Sequence, residues 1–255
     1  MPTVSQTEIT RYVEAHIPNF HKAKLDSLTD LPLLQVLSRK NPYLLKAKAL
    51  ATPRDLVKAI LDAHLSSQEE TILGGFLEGL AIFICKRAYR AHGKSTTTGL
   101  DLEFDKEGKR CLVAIKSGPN WGNSGQIEKM RADFKTAAKV YRQNKDHLPV
   151  QCINGCCYGK QARKSEDKGD YLKLCGQRFW QFISGDAELY IKIVEPIGHK
   201  ATERNAEFLA QYELVLDKFT EIFRKNLCDA ANNILWDKLT KISSEAPIAL
   251  DEKYQ

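Results

Sequence analysis

The sequence is short of several features that would assign it quickly. Its 255 residues contain no apolar run near the roughly 20 needed to cross a bilayer. Met1-Pro2-Thr3-Val4-Ser5 lacks the basic segment and following apolar stretch of an export signal. A cytoplasmic protein with no membrane partner is therefore expected. Cys-x-x-Cys and His-x-x-x-His spacings are missing, so the common zinc patterns are too. The cysteines number seven, an odd count that argues against a disulfide framework. Cys152, Cys156, Cys157 and Cys175 read instead as reduced thiols on a buried strand. A strong charge excess is also lacking: 38 Lys and Arg against 32 Asp and Glu leave +6. That surplus permits nucleic-acid binding without demanding it. With no repeat and no low-complexity linker, one elaborated domain over residues 1–255 is expected.

What is present is core-forming sequence, since a hydrophobic content of 43% excludes disorder. Residues 8–65 read as short helices broken at Pro18, Pro32, Pro42 and Pro53, with basic residues interleaved. Ser67 followed by Glu70 forms a capping-box pattern that predicts a helix from Thr71 to Arg90. Ile72, Phe76, Leu80, Phe83 and Ile84 recur along it at helical spacing. Two alternating runs follow, Gly99 to Phe104 and Cys111 to Gly118, separated by Asp105-Lys106-Glu107-Gly108. They predict a hairpin. Ser124 predicts the cap of a helix reaching about Lys145, and Pro149 to Asn154 a strand continuing towards Tyr158. Beyond a polar loop from Gly159 to Asp170, Phe179 to Gly185 reads as the end of a helix and Leu189 to Val194 as a strand. Glu203 to Ile242 reads as one or two amphipathic helices. The chain thus divides into a helical region (1–66), a core (67–158) and added elements (159–255).

An antiparallel register across the hairpin brings Asp101 level, within a residue or two, with Lys116. By themselves the two read either as a cross-strand ion pair or as a carboxylate and a cation flanking a phosphodiester. With the order helix, hairpin, helix, strand, Asp101 and Ala114-Ile115-Lys116 resemble the PD-(D/E)xK nuclease superfamily, and within it the type II restriction endonucleases. Lys40-Asn41-Pro42-Tyr43-Leu44, Glu69-Glu70-Thr71 and Phe179 to Gly185 are similar to segments of such enzymes. The resemblance implies an α/β (α+β) fold with a restriction-endonuclease-like core, a central mixed sheet flanked by helices, and helical additions at both ends. It implies a Mg²⁺-dependent homodimer that cuts double-stranded DNA at a specific site. Asp101 would be a metal ligand, Ile115 would offer its backbone carbonyl, and Lys116 would position water and balance charge.

Ala114 departs from the family pattern, because a second carboxylate is usual there. Three acids are candidates to replace it. Glu128 comes first, on the helix after the hairpin, although the helix dipole alone favours an acid near a helix start. Glu78 on the preceding helix is second, with pairing to Lys86 or Arg87 as its plain alternative. Glu103 is third, sharing a strand face with Asp101 about 7 Å on. For DNA contacts, Asn120, Asn123 and Gln126 suit base edges, and Lys160, Arg163 and Lys164 suit phosphates. Trp121 reads either as a wedge between bases or as a packed side chain. Two rival functions stay open: a repair or mobile-element nuclease of the same fold, and a DNA-binding protein without catalysis.

Overall fold

The computed structural model describes residues 4–29, 31–50, 52–89, 94–143 and 148–245. The expected helix ends at Arg90 and Lys145, and residues 1–3 of the N-terminal segment, lie outside them. In chain order the elements are α1 (Gln6–Thr29), α2 (Leu33–Ser38), α3 (Pro42–Ala47), α4 (Pro53–Tyr89), β1 (Leu102–Lys106), β2 (Lys109–Lys116), α5 (Ser124–Gln143), β3 (Val150–Cys156), β4 (Leu172–Cys175), α6 (Gln177–Ser184), α7 (Leu189–Lys192), α8 (Val194–Ile197), α9 (Ala201–Leu227) and α10 (Trp236–Ser244). They form two compact units, Met1–Pro18 with Leu73–His199, and Asn19–Ile72 with Lys200–Gln255. The architecture is the expected mixed sheet with flanking helices.

The first unit holds a four-stranded sheet in the order β1-β2-β3-β4. Glu107 (φ 52°) and Gly108 (φ 71°) turn β1 into β2. Two successive positive φ values match the right-handed twist of a hairpin. The register sets Leu102 opposite Val113 and Glu103 opposite Leu112, and β2, β3 and β4 then run parallel. Period-two alternation sends Leu112 and Ala114 under α5, where they pack with Met130, Phe134 and Ala138. On the opposite face Phe104 meets Tyr89 of α4 and Phe182 of α6. Gly155 of β3 is required here, because a Cβ at that position would lie 2.1 Å from the Phe179 ring. All seven cysteines are free. Burial pushes the Cys111 and Cys152 thiols up to about 11, so they stay protonated at neutral pH.

The second unit is helical. Leu28, Leu37, Leu56, Ile60, Leu61, Phe219 and Phe223 form its core. Arg54 on its surface pairs with Glu213 at 2.7 Å and also with Asp217. The Tyr212 hydroxyl donates to Asp62 at 2.7 Å.

Several local expectations need correction. Leu189 to Val194 is not a strand but the turns α7 and α8. Leu189 and Ile193, four apart, are buried while Tyr190, Ile191 and Val194 are exposed, so period four overrode the apparent alternation. Ser67 and Glu70 do not start a helix; both are exposed along α4, which begins far earlier. Its N-terminal box is Thr52 with Asp55: the Asp55 N–H donates to Thr52 Oγ1 (3.1 Å), and that hydroxyl donates back to Asp55 (2.7 Å). Pro18 lies inside α1 without ending it. The strand β4 was not foreseen, since four residues are too few for periodicity to declare.

Candidate active site

The site is built where β1 begins and β2 ends. The Asp101 N–H donates to the Val113 carbonyl (2.9 Å), extending the ladder by one residue. This places Asp101 level with Ala114, two residues from Lys116. The Asp101 carboxylate accepts a 2.6 Å hydrogen bond from the Ile115 N–H. Burial raises its pKa above the ordinary carboxylate value; the Ile115 bond, Lys116 and Lys94 pull it down, and the Glu78 charge adds to the rise. Cys157 reports the same corner, its thiol pushed up to about 12 by burial and by the charges of Glu78 and Asp101. The α4 acid whose charge acts on both groups is Glu78. Its Oε1 lies 2.9 Å from the Lys94 ammonium, and neither Lys86 nor Arg87 takes that place.

The other two acids are placed differently. Glu103 is hydrogen-bonded through one oxygen by Ser95 and through the other by Tyr141. Burial alone would raise its pKa, but the hydrogen bonds from Ser95, Tyr141 and Thr97 outweigh it and leave the group lowered. Both its oxygens are thus occupied. Glu128 is exposed on α5 beyond the first turn, and among the described residues its carboxylate makes no hydrogen bond or ion pair. Ala114 is 1% exposed within the apolar cluster beneath α5. A longer side chain there would enter that cluster, which accounts for the alanine in packing terms.

The loop leaving β2 is pinned rather than free. Lys173 donates to the Pro119 carbonyl at 2.7 Å, and Gly118 lies so close to the Tyr158 ring that a Cβ would sit 2.4 Å from it. Half-buried Trp121 donates from Nε1 to Asn154 Oδ1 at 3.1 Å. The cap of α5 is Asn123, not Ser124: its side chain accepts from the Gln126 N–H while Gln126 accepts from the Asn123 N–H, both at 3.0 Å. Both side chains are engaged in that box. Asn120 is exposed, as are Lys160, Arg163 and Lys164, the last two in a short 3-10 turn. Sequence reasoning overlooked Lys94, Tyr141 and Asn154. Only Asn154 left a signal, as an amide inside the run from Cys152 to Cys157.

Residues 7–205 match the family described as Type II restriction endonuclease EcoO109I. The chain belongs to that family. The matched stretch includes every acid, lysine and loop residue named above, and it draws on both compact units. Membership makes the chain a nuclease of the type II restriction-enzyme kind, acting on DNA; such enzymes generally use divalent metal ions. No curated protein matches the chain. Among the described residues, no helix is long and apolar enough to cross a membrane.

Proposed function

We propose that this family member is a Mg²⁺-dependent endonuclease that cuts double-stranded DNA at a specific sequence, with Asp101, Glu78 and Lys116 at its centre. The observation that carries the reading is the corner itself: a half-buried Asp101, oriented by the Ile115 N–H, with a second carboxylate and an ammonium acting on it. Mg²⁺ keeps several waters and needs only one or two carboxylates beside substrate phosphate oxygens, which Asp101 and Glu78 would supply. Repulsion between Glu78 and Asp101 is what a divalent cation would relieve. In a strand, a residue's N–H and C=O leave on the same side. The Ile115 carbonyl therefore faces Asp101 as its N–H does, and completes the donor set.

Bound Mg²⁺ supplies a water of lowered pKa and neutralises charge on the phosphate. Asp101 and Glu78 would hold it, and Lys116 would orient the attacking water and offset charge developing at phosphorus. Glu128 keeps a place as a candidate ligand only if DNA brings it to the phosphate. Asn120, Lys160, Arg163 and Lys164, exposed around the same loops, serve as DNA contacts. Asn123, Gln126 and Trp121 act there through the shape of the loop. The whole chain works as one nuclease in the cytoplasm, and two copies pair so that protein two-fold symmetry mirrors that of the site. Incubation of the purified protein with mixed plasmids and Mg²⁺ should give discrete, reproducible fragments, and none with EDTA. Structure-dependent nicking would move the assignment to repair, and binding without cleavage would remove the catalysis.

A further inference from the structure

The loop that follows β2 sets an indole beside the ammonium of Lys116. Lys116 Nζ lies 5.1 Å from the Trp121 ring centroid, within the range where an indole face attracts a cation. Lysine carries its charge on a flexible four-carbon stem, and among the described residues the Lys116 ammonium makes no hydrogen bond or ion pair. Asp101 draws it only through space. The Trp121 face is thus the direct contact that orients the ammonium.

That indole is itself held from below. Asn154 is 1% exposed and pairs in register with Ala114 across β2 and β3. Its Oδ1 accepts from Trp121 Nε1 at 3.1 Å, and its Nδ2 donates to the Ala114 carbonyl at 3.3 Å. A buried amide is costly unless both ends are paired, and here both are. The contacts run from the Ala114 carbonyl through Asn154 and Trp121 to Lys116. The Lys173 bond to the Pro119 carbonyl and the close approach of Gly118 to the Tyr158 ring also tie the loop to β4 and the end of β3. An acid at position 114 would compete for the same space, since Trp121 packs against the cluster containing Ala114.

We infer that Trp121 and Asn154 are positioning residues for Lys116: the indole face fixes the ammonium beside the reacting phosphate, and the buried amide fixes the indole. This rests on the proposed role of Lys116 and gives Trp121 a different task from wedging DNA. The test uses the full-length protein and a plasmid that the wild type cleaves. Trp121→Leu and Asn154→Leu should lower kcat about a hundredfold, the scale of an ångström-level misplacement, with KM changed less than about twofold. Trp121→Phe keeps a cation-binding face and should recover to within about tenfold of wild type. A rise in KM with kcat preserved would make Trp121 a DNA contact and overturn the proposal.

A second measurement survives if a loop variant fails to fold. Lys116→Met should alter the indole emission of the uncomplexed protein, and the same change in a Trp121→Phe background should alter nothing. No emission change in either background overturns the contact. The two levels separate cleanly. If Lys116→Met cleaves normally, the role of Lys116 is wrong and the inference falls with it. If Lys116→Met is inactive while Trp121→Leu cleaves at the wild-type rate, the positioning role alone is wrong.

Discussion

In the helical unit, Leu37, Leu56, Ile60, Phe219 and Phe223 close an apolar core. Its buried Thr220 hydroxyl is answered by the Leu216 carbonyl and that of Tyr212 by Asp62, while His21 Nε2 is buried without a hydrogen-bond partner among the described residues. The sheet unit turns polar groups inward instead: Asn154 is buried, and Asp101 and Glu103 are half-buried. Each is held by specific donors and acceptors, because a polar group inside a protein is costly unless paired. Both units are stabilised by apolar burial, yet only one also accepts the electrostatic cost of facing carboxylates. Burial also shifts Tyr212, His21 and His64 in the helical unit, so it is the like charges acting on Asp101, and not a shift by itself, that point to chemistry.

Variants can break this contrast from either side. The largest effect is expected from Asp101→Asn and Lys116→Ala. Each should lower the plasmid cleavage rate by about a thousandfold or more while thermal unfolding stays close to wild type. A substantial fall in Tm for either variant would make the pair structural. The mirror experiment is Phe223→Ala in the helical core, where the ring is 0% exposed. Urea unfolding should show a loss of about 3–5 kcal/mol, with kcat per folded molecule unchanged.

Ala114→Glu sits between the two classes. Placing an acid there should not raise activity, because the carboxylate would enter the apolar cluster beneath α5 at a cost of about 3 kcal/mol. A gain in cleavage would show room for an acid that the packing denies. Next come the competing acids. Glu78→Gln should slow cleavage by about 10–100-fold, while Glu128→Gln stays within about threefold of wild type; the opposite result would return the second ligand to α5. The smallest effect belongs to Arg54→Ala. Its pairs with Glu213 and Asp217 are surface-exposed, so urea unfolding should report less than about 1 kcal/mol.

The hairpin was legible because its information is local. Leu102 to Phe104 alternates as a half-buried strand requires and Glu107-Gly108 supports the turn, whereas Cys111 to Ile115 is a continuous apolar run buried on both faces, not the half-buried strand expected. Register then follows from the turn, so Asp101 and Lys116 share an end of the sheet before any tertiary contact is considered. The amphipathic tail was legible for a related reason, as a long periodic pattern now seen as α9 and α10. Leu189 to Val194 was not, because six residues fit periods of two and four equally well, and packing chose between them.

The missing acid at position 114 shows the same division within the site. Sequence alone determined that Asp101 and Lys116 share one end of the hairpin and that Ala114 supplies no carboxylate, since backbone pairing and side-chain identity decide both. Tertiary structure decided the rest. It put Asp101 within reach of the Glu78 charge, bound both oxygens of Glu103, left Glu128 at the surface and set Trp121 beside Lys116. Those outcomes depend on how α4, α5 and the loop after β2 pack on the sheet. Such long-range contacts are chosen by the folding of the whole unit and leave no local pattern to read.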